Sequence, residues 1–342
     1  MKVLLIGGTG TISRAITRRL VEQGQEVFLL NRGTNNEICP DGVTFISGDI
    51  NKEEEIARKL EGMTFDAVCE FIGFVPAQVE RDYRLFQGKT KQYIYISSAS
   101  AYQKPLGDYK ITESTPLANP HWQYSRDKIA CEEFLLKMYR ENGFPVTIVR
   151  PSHTYCETSV PLGVHGEKGS WQVLKRMMEG KPVIIHGDGT SLWTLTHNSD
   201  FAKAYVGLIG NIHAIGESYH ITSDETVTWN QVYRIIADCL GVELKACYVA
   251  SDFLMSDGKY DFEGSLIGDK SNSVVFDNSK VKRAVPDFVA TKRVDQGIRE
   301  TVEYVLAHEE CQVPDPEFDA WCDKVIAIME KAKAELKNIS IS

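Results

Sequence analysis

Tyr124 and Lys128 stand four residues apart in the stretch YSRDK. If this stretch begins a helix, both side chains lie on one face. An ammonium group beside a phenol favours the phenolate, so it lowers the pKa of the tyrosine and lets it act as an acid or base near neutral pH. The alternative is a surface tyrosine and lysine on an amphipathic helix, because this spacing is common.

Ser98 lies 26 residues before Tyr124, in the turn SSAS that follows the apolar stretch QYIYI. The carboxyl ends of parallel strands are where open α/β sheets bind their ligands. A hydroxyl group there could form a hydrogen bond with a substrate oxygen beside the tyrosine. The alternative is a serine-rich turn or a helix cap.

The stretch GGTGTIS, residues 7–13, has the spacing Gly7-x-x-Gly10-x-x-Ser13. Glycines in such a turn let the backbone approach a pyrophosphate, and the helix that follows directs its free N–H groups at the same anion. Ser13 stands where a third glycine is usual, but the position needs only a small side chain. The context favours a cofactor loop over a structural turn.

The second apolar run ends in Asn31 and Arg32. An acidic residue at this place would bind the ribose hydroxyl of NAD, whereas an arginine suits the 2′-phosphate of NADP. The pair therefore favours NADP over NAD, and the alternative is an exposed loop arginine without a ligand. Asp49 and Ile50 follow the third run, where a carboxylate and an apolar neighbour could hold an adenine.

These residues need a scaffold, and the apolar pattern predicts one. Buried strands are expected over 3–6, 26–30, 43–46, 67–71, 92–96 and 145–149. Helices are expected over 12–20, 52–60, 125–142, 170–179, 200–208 and 324–337, the last on the surface. This alternation predicts an α/β fold, a doubly wound parallel Rossmann sheet with a smaller C-terminal α/β substrate domain.

The predicted dinucleotide-binding domain covers 1–155 and is rejoined by about 190–215. The predicted substrate domain covers 156–189 and 216–342. The net charge of −9 disfavours nucleic acid as a partner. The eight cysteines form no C-x-x-C pair, so we expect neither a zinc site nor disulfides. We found no apolar stretch long enough to span a bilayer and no signal-peptide core, so we expect a cytoplasmic protein with no membrane partner.

Seven motifs occur in order over about residues 1–305: GGTGTIS, Asp49-Ile50, ISSASAY, YSRDK, IVRPSHTY, GDGTSLWTLTHNSDFAKA and DNSKVKR. Together they resemble the extended branch of the short-chain dehydrogenase/reductase superfamily, the NAD-dependent epimerase/dehydratase family. The resemblance implies a Rossmann sheet that binds a nicotinamide cofactor, a small-molecule substrate and, in many members, a homodimer.

Carried over by position, the resemblance makes Tyr124 the general acid/base and Lys128 the residue that holds the nicotinamide ribose. Ser98 would orient the reacting oxygen. The implied cofactor contacts, besides Asn31, Arg32, Asp49 and Ile50, are Gly7, Thr9, Gly10, Thr11, Ile12, Phe71, Ile72, Pro151, Ser152 and His153. The implied substrate contacts are Ser100, Tyr102, His153 and Trp193.

The chain also departs from this family. Ala99 and Ser100 replace the acidic pair that dehydratases carry, which disfavours water elimination. Trp193 and His153 replace an arginine and an asparagine of nucleotide-sugar enzymes, although each could simply be a packed side chain. The stretches Asn31-Arg32-Gly33 and EFIGF look more like atypical members, which include the chloroplast stem-loop-binding proteins.

We therefore expect an NAD(P)-dependent oxidoreductase or epimerase that acts on a hydroxyl or keto carbon of a sugar or sugar-like substrate. The second hypothesis is a Rossmann protein without turnover that senses nucleotides or binds RNA. The presence of Ser98, Tyr124 and Lys128 favours the enzyme.

Overall fold

The computed structural model describes residues 1–339. The strands are β1 (Lys2–Ile6), β2 (Glu26–Asn31), β3 (Val43–Ser47), β4 (Ala67–Glu70), β5 (Tyr93–Ile96), β6 (Lys110–Ile111), β7 (Val146–Pro151), β8 (His153–Tyr155), β9 (Val183–His186), β10 (Leu192–Trp193), β11 (Leu195–His197), β12 (Ser218–Ile221), β13 (Val227–Thr228), β14 (Ala246–Val249) and β15 (Val275–Phe276). The α-helices are α1 (Ser13–Glu22), α2 (Glu53–Lys59), α3 (Pro76–Phe86), α4 (Gln123–Asn142), α5 (Trp171–Met178), α6 (Asn198–Leu208), α7 (Trp229–Leu240), α8 (Ser251–Met255), α9 (Ser279–Ala284), α10 (Val294–Ala307) and α11 (Pro316–Lys337). A π-helix spans Glu263–Lys270.

A seven-stranded sheet has the order β12-β7-β5-β4-β1-β2-β3, and each neighbouring pair is parallel. Its central strands are short apolar runs, as expected for strands that are covered on both faces. Val3 to Ile6 in β1, for example, are completely buried. The order places β1 and β4 side by side inside the sheet, and the chain winds outwards from β1 through β2 to β3 and from β4 through β5 and β7 to β12. The predicted doubly wound Rossmann fold is confirmed.

Successive residues of β1 point to opposite faces of the sheet. Leu5 belongs to a core that includes residues of α1 and α6. Leu4 belongs to a second core, which includes residues of α2, α3 and α4. The sheet therefore lies between two helical layers, and α4 belongs to one of them.

The apolar pattern of the sequence does not predict α3. This helix begins with Pro76 at its first position, which is a favourable place for proline. It buries Val79 and Phe86 in the core, but between them it also buries the ion pair Arg81–Asp82, at 2.7 Å. These two charged residues in the middle of the segment interrupt the apolar helical pattern that would otherwise predict the helix.

The prediction for the last helix was wrong in part. Helix α11 begins at Pro316 rather than at residue 324, and Asp315 caps it by accepting a hydrogen bond from the N–H group of Phe318 at 3.1 Å. Phe318 and Trp321 are buried. The first half of α11 is thus a core element, and only the second half is mainly exposed.

The chain divides into two compact units. The first contains Met1–Thr154, Thr196–Asp224 and Phe276–Lys292 and holds the seven-stranded sheet. The second contains Tyr155–Leu195, Glu225–Val275 and the residues from Arg293 onward. Within residues 1–339, no helix combines the length and the apolar character needed to cross a membrane.

Candidate active site

The glycine loop is a tight turn between β1 and α1. Gly7 and Gly8 have φ angles of +106° and +91°, which favour glycine. A β-carbon on Gly8 would also collide with Leu29. Ser13 is buried, and its hydroxyl oxygen accepts a hydrogen bond from the N–H group of Gly10 at 2.9 Å. Ser13 therefore fits the third glycine position and stabilises the turn.

A cavity of about 400 Å³ opens beside this loop in the first unit. It brings together several residues predicted to contact the cofactor: Gly7, Thr9, Asn31, Arg32, Asp49, Ile50 and Ile72. It is also lined by residues that the motifs do not predict: Leu30, Thr34, Asn35, Gly48, Asn51, Phe74 and Gln78. The cavity thus collects the ends of β1, β2 and β3, where a Rossmann sheet holds the adenosine part of a dinucleotide.

The polar side chains around this cavity differ in whether they form hydrogen bonds within the protein. Asn31 accepts a hydrogen bond from the N–H group of Gly33 at 3.0 Å and donates one to Asn36 at 2.9 Å. Asp49 accepts one from the N–H group of Asn51 at 3.0 Å. Arg32 is exposed and, within residues 1–339, has neither a hydrogen bond nor an ion pair. The guanidinium group of Arg32 is therefore available to an anion in the cavity.

The other predicted cofactor contacts lie nearby or in the core. Gly10, Thr11 and Ile12 continue the loop, and the carbonyl oxygen of Thr11 accepts a hydrogen bond from Asn198 at 2.9 Å. The ring of Phe71 packs on Tyr205, with 5.6 Å between centroids. The end of β7 carries the last three predicted contacts: Pro151, which is buried, followed by Ser152 and His153, which are half-buried.

Lys128 lies on α4 and is 1% exposed. Its ammonium group donates hydrogen bonds to the carbonyl oxygens of Gly73, at 2.7 Å, and Ile96, at 2.8 Å. An ammonium group has three donors, so one remains for a ligand. Burial lowers the pKa of Lys128 to about 8.

Tyr124 lies in the first turn of α4 and is half-buried. Its ring centre is 5.8 Å from the Lys128 nitrogen, 4.9 Å from the Trp122 ring and 6.5 Å from the Phe74 ring. The structure therefore brings Tyr124 and Lys128 together on one face of the helix, as the spacing predicts.

Phe74 connects the two parts of the candidate site. It lines the cavity, and its ring centre is 4.8 Å from the Lys128 nitrogen. Phe74 is 47% exposed, and Ile72 and Val75, close to it in the chain, are 37% and 39% exposed. A cluster of exposed apolar side chains is typical of a contact surface. The apolar stretch EFIGF at the end of β4 was the signal that could have identified it.

Ser98 follows β5 and is half-buried, and its hydroxyl group is 2.8 Å from that of Ser100. Ser100, which was expected to contact substrate, is 4% exposed, and its hydroxyl is also 2.7 Å from that of Ser125. Ser125 is fully buried and was not singled out from the sequence. The structure thus places Ser98 at the exposed end of a buried row of hydroxyl groups.

Two other predicted substrate residues are in packed surroundings. Tyr102 is fully buried, and its hydroxyl is bonded to Nδ1 of His220, at 3.0 Å, and to Arg150, at 3.3 Å. Trp193 belongs to the second unit, is 2% exposed and stacks on Trp229 with 5.5 Å between centroids. These placements give both side chains packing roles and do not support the predicted substrate contacts.

Within residues 1–339, no group of three or more His, Cys, Asp or Glu side chains is arranged to hold a metal ion.

Comparisons with known proteins identify similar chains and a similar fold. The chain is 26% identical over 241 residues to 2'-dehydrokanamycin reductase of Streptomyces kanamyceticus, which covers 70% of this chain and 67% of the relative. It is 27% identical over 253 residues to the chloroplast stem-loop binding protein of 41 kDa b of Arabidopsis thaliana, with coverage of 70% and 63%. A solved structure with the same fold is an epimerase from Methanothermobacter thermautotrophicus (TM-score 0.73, 17% identity, 90% and 93% coverage).

The sequence model of the NAD dependent epimerase/dehydratase family matches residues 3–222. That is more than half of the chain, and it includes the glycine loop, Ser98, Tyr124 and Lys128. The resemblance noted from the motifs is thereby confirmed: the chain belongs to the NAD-dependent epimerase/dehydratase family and is an enzyme of that type.

Proposed function

We propose that this protein is an NAD(P)-dependent reductase or epimerase that acts on a hydroxyl or keto carbon of a sugar or sugar-like substrate. One observation carries the proposal. Lys128 is buried beside the Tyr124 ring, with one ammonium donor still available. This arrangement is built for a tyrosine that changes its protonation state beside a fixed positive charge.

When bound, a nicotinamide cofactor accepts a hydride from a substrate carbon or supplies one. Tyr124 takes the proton from the substrate hydroxyl in oxidation and returns a proton to the oxygen in reduction. Lys128 stabilises the phenolate form of Tyr124, because the charge of its ammonium group lies above the ring. The hydroxyl of Ser98 orients the reacting oxygen.

The relatives guide the choice of reaction. One relative is named as a reductase, and one solved structure with this fold is an epimerase. Water elimination needs an additional acid and base, and Ala99 and Ser100 provide no carboxylate beside Ser98. We therefore favour reduction or epimerisation over dehydration. Trp193 and His153 stand where nucleotide-sugar enzymes carry an arginine and an asparagine, and the loss of those two residues favours a substrate other than a nucleotide sugar.

For the cofactor we propose NADP rather than NAD. Arg32 lines the cavity and has a free guanidinium group, and neither Asn31 nor its neighbours supply an acidic side chain for a ribose hydroxyl. A cytoplasmic location and a homodimer remain part of the proposal.

The second candidate function is RNA binding without turnover, which the similarity to the stem-loop binding protein favours. The net charge of −9 opposes it, because an RNA-binding surface must neutralise phosphates. The buried Lys128 beside Tyr124 also has no use in such a protein. We therefore retain the enzyme as the conclusion.

The decisive test is Tyr124→Phe. The wild type and variant are titrated with NADP and NAD in a thermal-shift assay, then incubated with NADPH and a panel of keto sugars while absorbance at 340 nm is followed. We expect unchanged stabilisation by the cofactor and at least a 100-fold loss of turnover, because the transferable proton is removed. Tyr109→Phe, at a tyrosine that is 65% exposed, is the matched control. Turnover that survives Tyr124→Phe would refute the proposal.

A further inference from the structure

A row of four side chains leads from the core of the first unit to Ser98. The hydroxyl of Ser98 is 2.8 Å from that of Ser100, which is 2.7 Å from that of Ser125. The amide nitrogen of Asn119 lies 3.3 Å from the hydroxyl of Ser125. Asn119 is 3% exposed, so the inner end of the row is shielded from solvent.

The orientation of the Asn119 amide follows from its partners. Its nitrogen faces the carbonyl oxygen of Ser100 at 2.8 Å, and a carbonyl oxygen can only accept. Its oxygen accepts from the N–H group of His121 at 3.1 Å, and an N–H group can only donate. In the opposite orientation the amide oxygen would face the carbonyl oxygen of Ser100, and the amide nitrogen would face the N–H group of His121, so neither hydrogen bond could form. The amide nitrogen therefore donates to Ser125.

This donor sets the direction of the whole row. A serine hydroxyl has one proton to donate and two lone pairs. Ser125 accepts from Asn119, and its only other partner within residues 1–339 is Ser100, so its proton points to Ser100. Ser100 in turn accepts from Ser125 and donates to Ser98.

Ser98 then has its acceptor capacity filled. Its oxygen accepts from the hydroxyl of Ser100 and also from the backbone N–H group of Ser100, at 3.2 Å. What remains is its own proton. We propose that Asn119, Ser125 and Ser100 are positioning residues that make Ser98 a hydrogen-bond donor, aimed at the oxygen of the substrate carbon that is oxidised or reduced.

A donor at this place suits the proposed reaction, on which this inference rests. A carbonyl oxygen accepts the hydrogen bond from Ser98 in the keto form, and an alcohol oxygen can accept it while Tyr124 takes the alcohol proton. Donors aimed at an oxygen that gains negative charge commonly contribute 100-fold or more to rate. Without the inner residues, the hydroxyl of Ser98 could turn and donate to Ser100 instead.

The test is a double-mutant cycle of Ser98→Ala and Ser125→Ala, measured as kcat and KM with the substrate found in the panel. We expect Ser98→Ala to lower kcat about 100-fold and Ser125→Ala about tenfold, with KM and stabilisation by the cofactor nearly unchanged. In the Ser98→Ala background, Ser125→Ala should have no further effect on kcat, because it acts only through Ser98.

A second variant covers the possibility that Ser125→Ala does not fold. Asn119→Asp has nearly the same size but replaces the amide donor by an acceptor, which reverses the direction of the hydrogen bonds along the row. It should lower kcat about tenfold. In the Ser98→Ala background it should again have no effect on kcat. Ser125→Thr keeps the hydroxyl and should restore most of the kcat that Ser125→Ala loses. The proposal is overturned if the effects on kcat multiply in the double variants, or if the single variants stay within twofold of wild type. Retained turnover in Tyr124→Phe would instead refute the proposed function.

Discussion

The two ends of the candidate site in the first unit are built differently. At the adenosine end, Arg32 is exposed and unpaired within residues 1–339, and Asn31 and Asp49 only brace local turns. At the catalytic end, Lys128 and Ser125 are buried, and their polar atoms already have partners in the protein. One end leaves charge free for a ligand, whereas the other is organised before any ligand arrives.

This difference predicts different consequences of mutation. A change at the catalytic end removes a buried group and leaves its partners unsatisfied, which costs about 1–3 kcal/mol for each group. A change at the adenosine end removes only what that side chain offers to the ligand. Stability and activity should therefore be coupled at the catalytic end and separable at the adenosine end.

The largest effect is expected for Lys128→Met. The variant removes the positive charge beside Tyr124 and the ammonium donor of the carbonyl oxygens of Gly73 and Ile96; the oxygen of Gly73 keeps the hydrogen bond from the Tyr95 hydroxyl, at 3.1 Å. We expect a 10²- to 10⁴-fold loss of turnover and a lower melting temperature. Lys137→Met, at an exposed position of the same helix, is the control and should change neither. Turnover within tenfold of wild type would show that Tyr124 does not depend on this lysine.

A smaller effect, which changes cofactor affinity but not stability, is expected for Arg32→Ala. A hydrogen bond between charged groups contributes about 1.5–3 kcal/mol, so affinity for NADP should fall at least tenfold. Affinity for NAD should change less than twofold, and the melting temperature without cofactor should stay the same. Calorimetric titrations of wild type, Arg32→Ala and the surface variant Arg18→Ala measure this. An unchanged ratio of the two affinities would make Arg32 a bystander.

The sheet could be predicted from sequence because its signals are local. The run at residues 3–6 is apolar at every position and ends in glycine, which indicates a strand buried on both faces. Helix α3 was missed because its buried Arg81–Asp82 pair also depends on distant partners: Arg81 donates to Asn51 at 2.7 Å, and Tyr93 donates to Asp82 at 2.8 Å. Such partners leave no trace in the spacing of one segment.

The same limit applies to the site. The spacing of Tyr124 and Lys128 is a helical repeat, so their common face could be predicted. Ser125 could not be recognised in this way: it lies on a buried stripe with Lys128, Glu132 and Leu135, but three of these four side chains are polar, so the sequence shows no apolar face there. Asn119 could not be recognised either, since it reaches the site through the path of a loop.

The last and smallest effect concerns pH and Lys128 in the resting protein. Burial lowers the pKa of Lys128 to about 8, whereas in the unfolded chain it has the ordinary value near 10.4. Between these values the unfolded chain binds more protons, so this lysine makes the free energy of unfolding rise with pH. The wild type should therefore gain about 1 kcal/mol per pH unit relative to Lys128→Met between pH 8.5 and 9.5.

Denaturant unfolding of the two proteins at several pH values measures this difference directly. Comparing them removes the opposing effect of the buried thiols of Cys69 and Cys322, whose pKa is raised by burial to about 12 and which both proteins share. Lys137→Met should follow the wild type throughout. If the difference between wild type and Lys128→Met stays constant over this range, Lys128 titrates as an ordinary solvated lysine. The contrast between a catalytic end that is organised in advance and an open adenosine end would then not hold, because a solvated ammonium group is not fixed beside Tyr124.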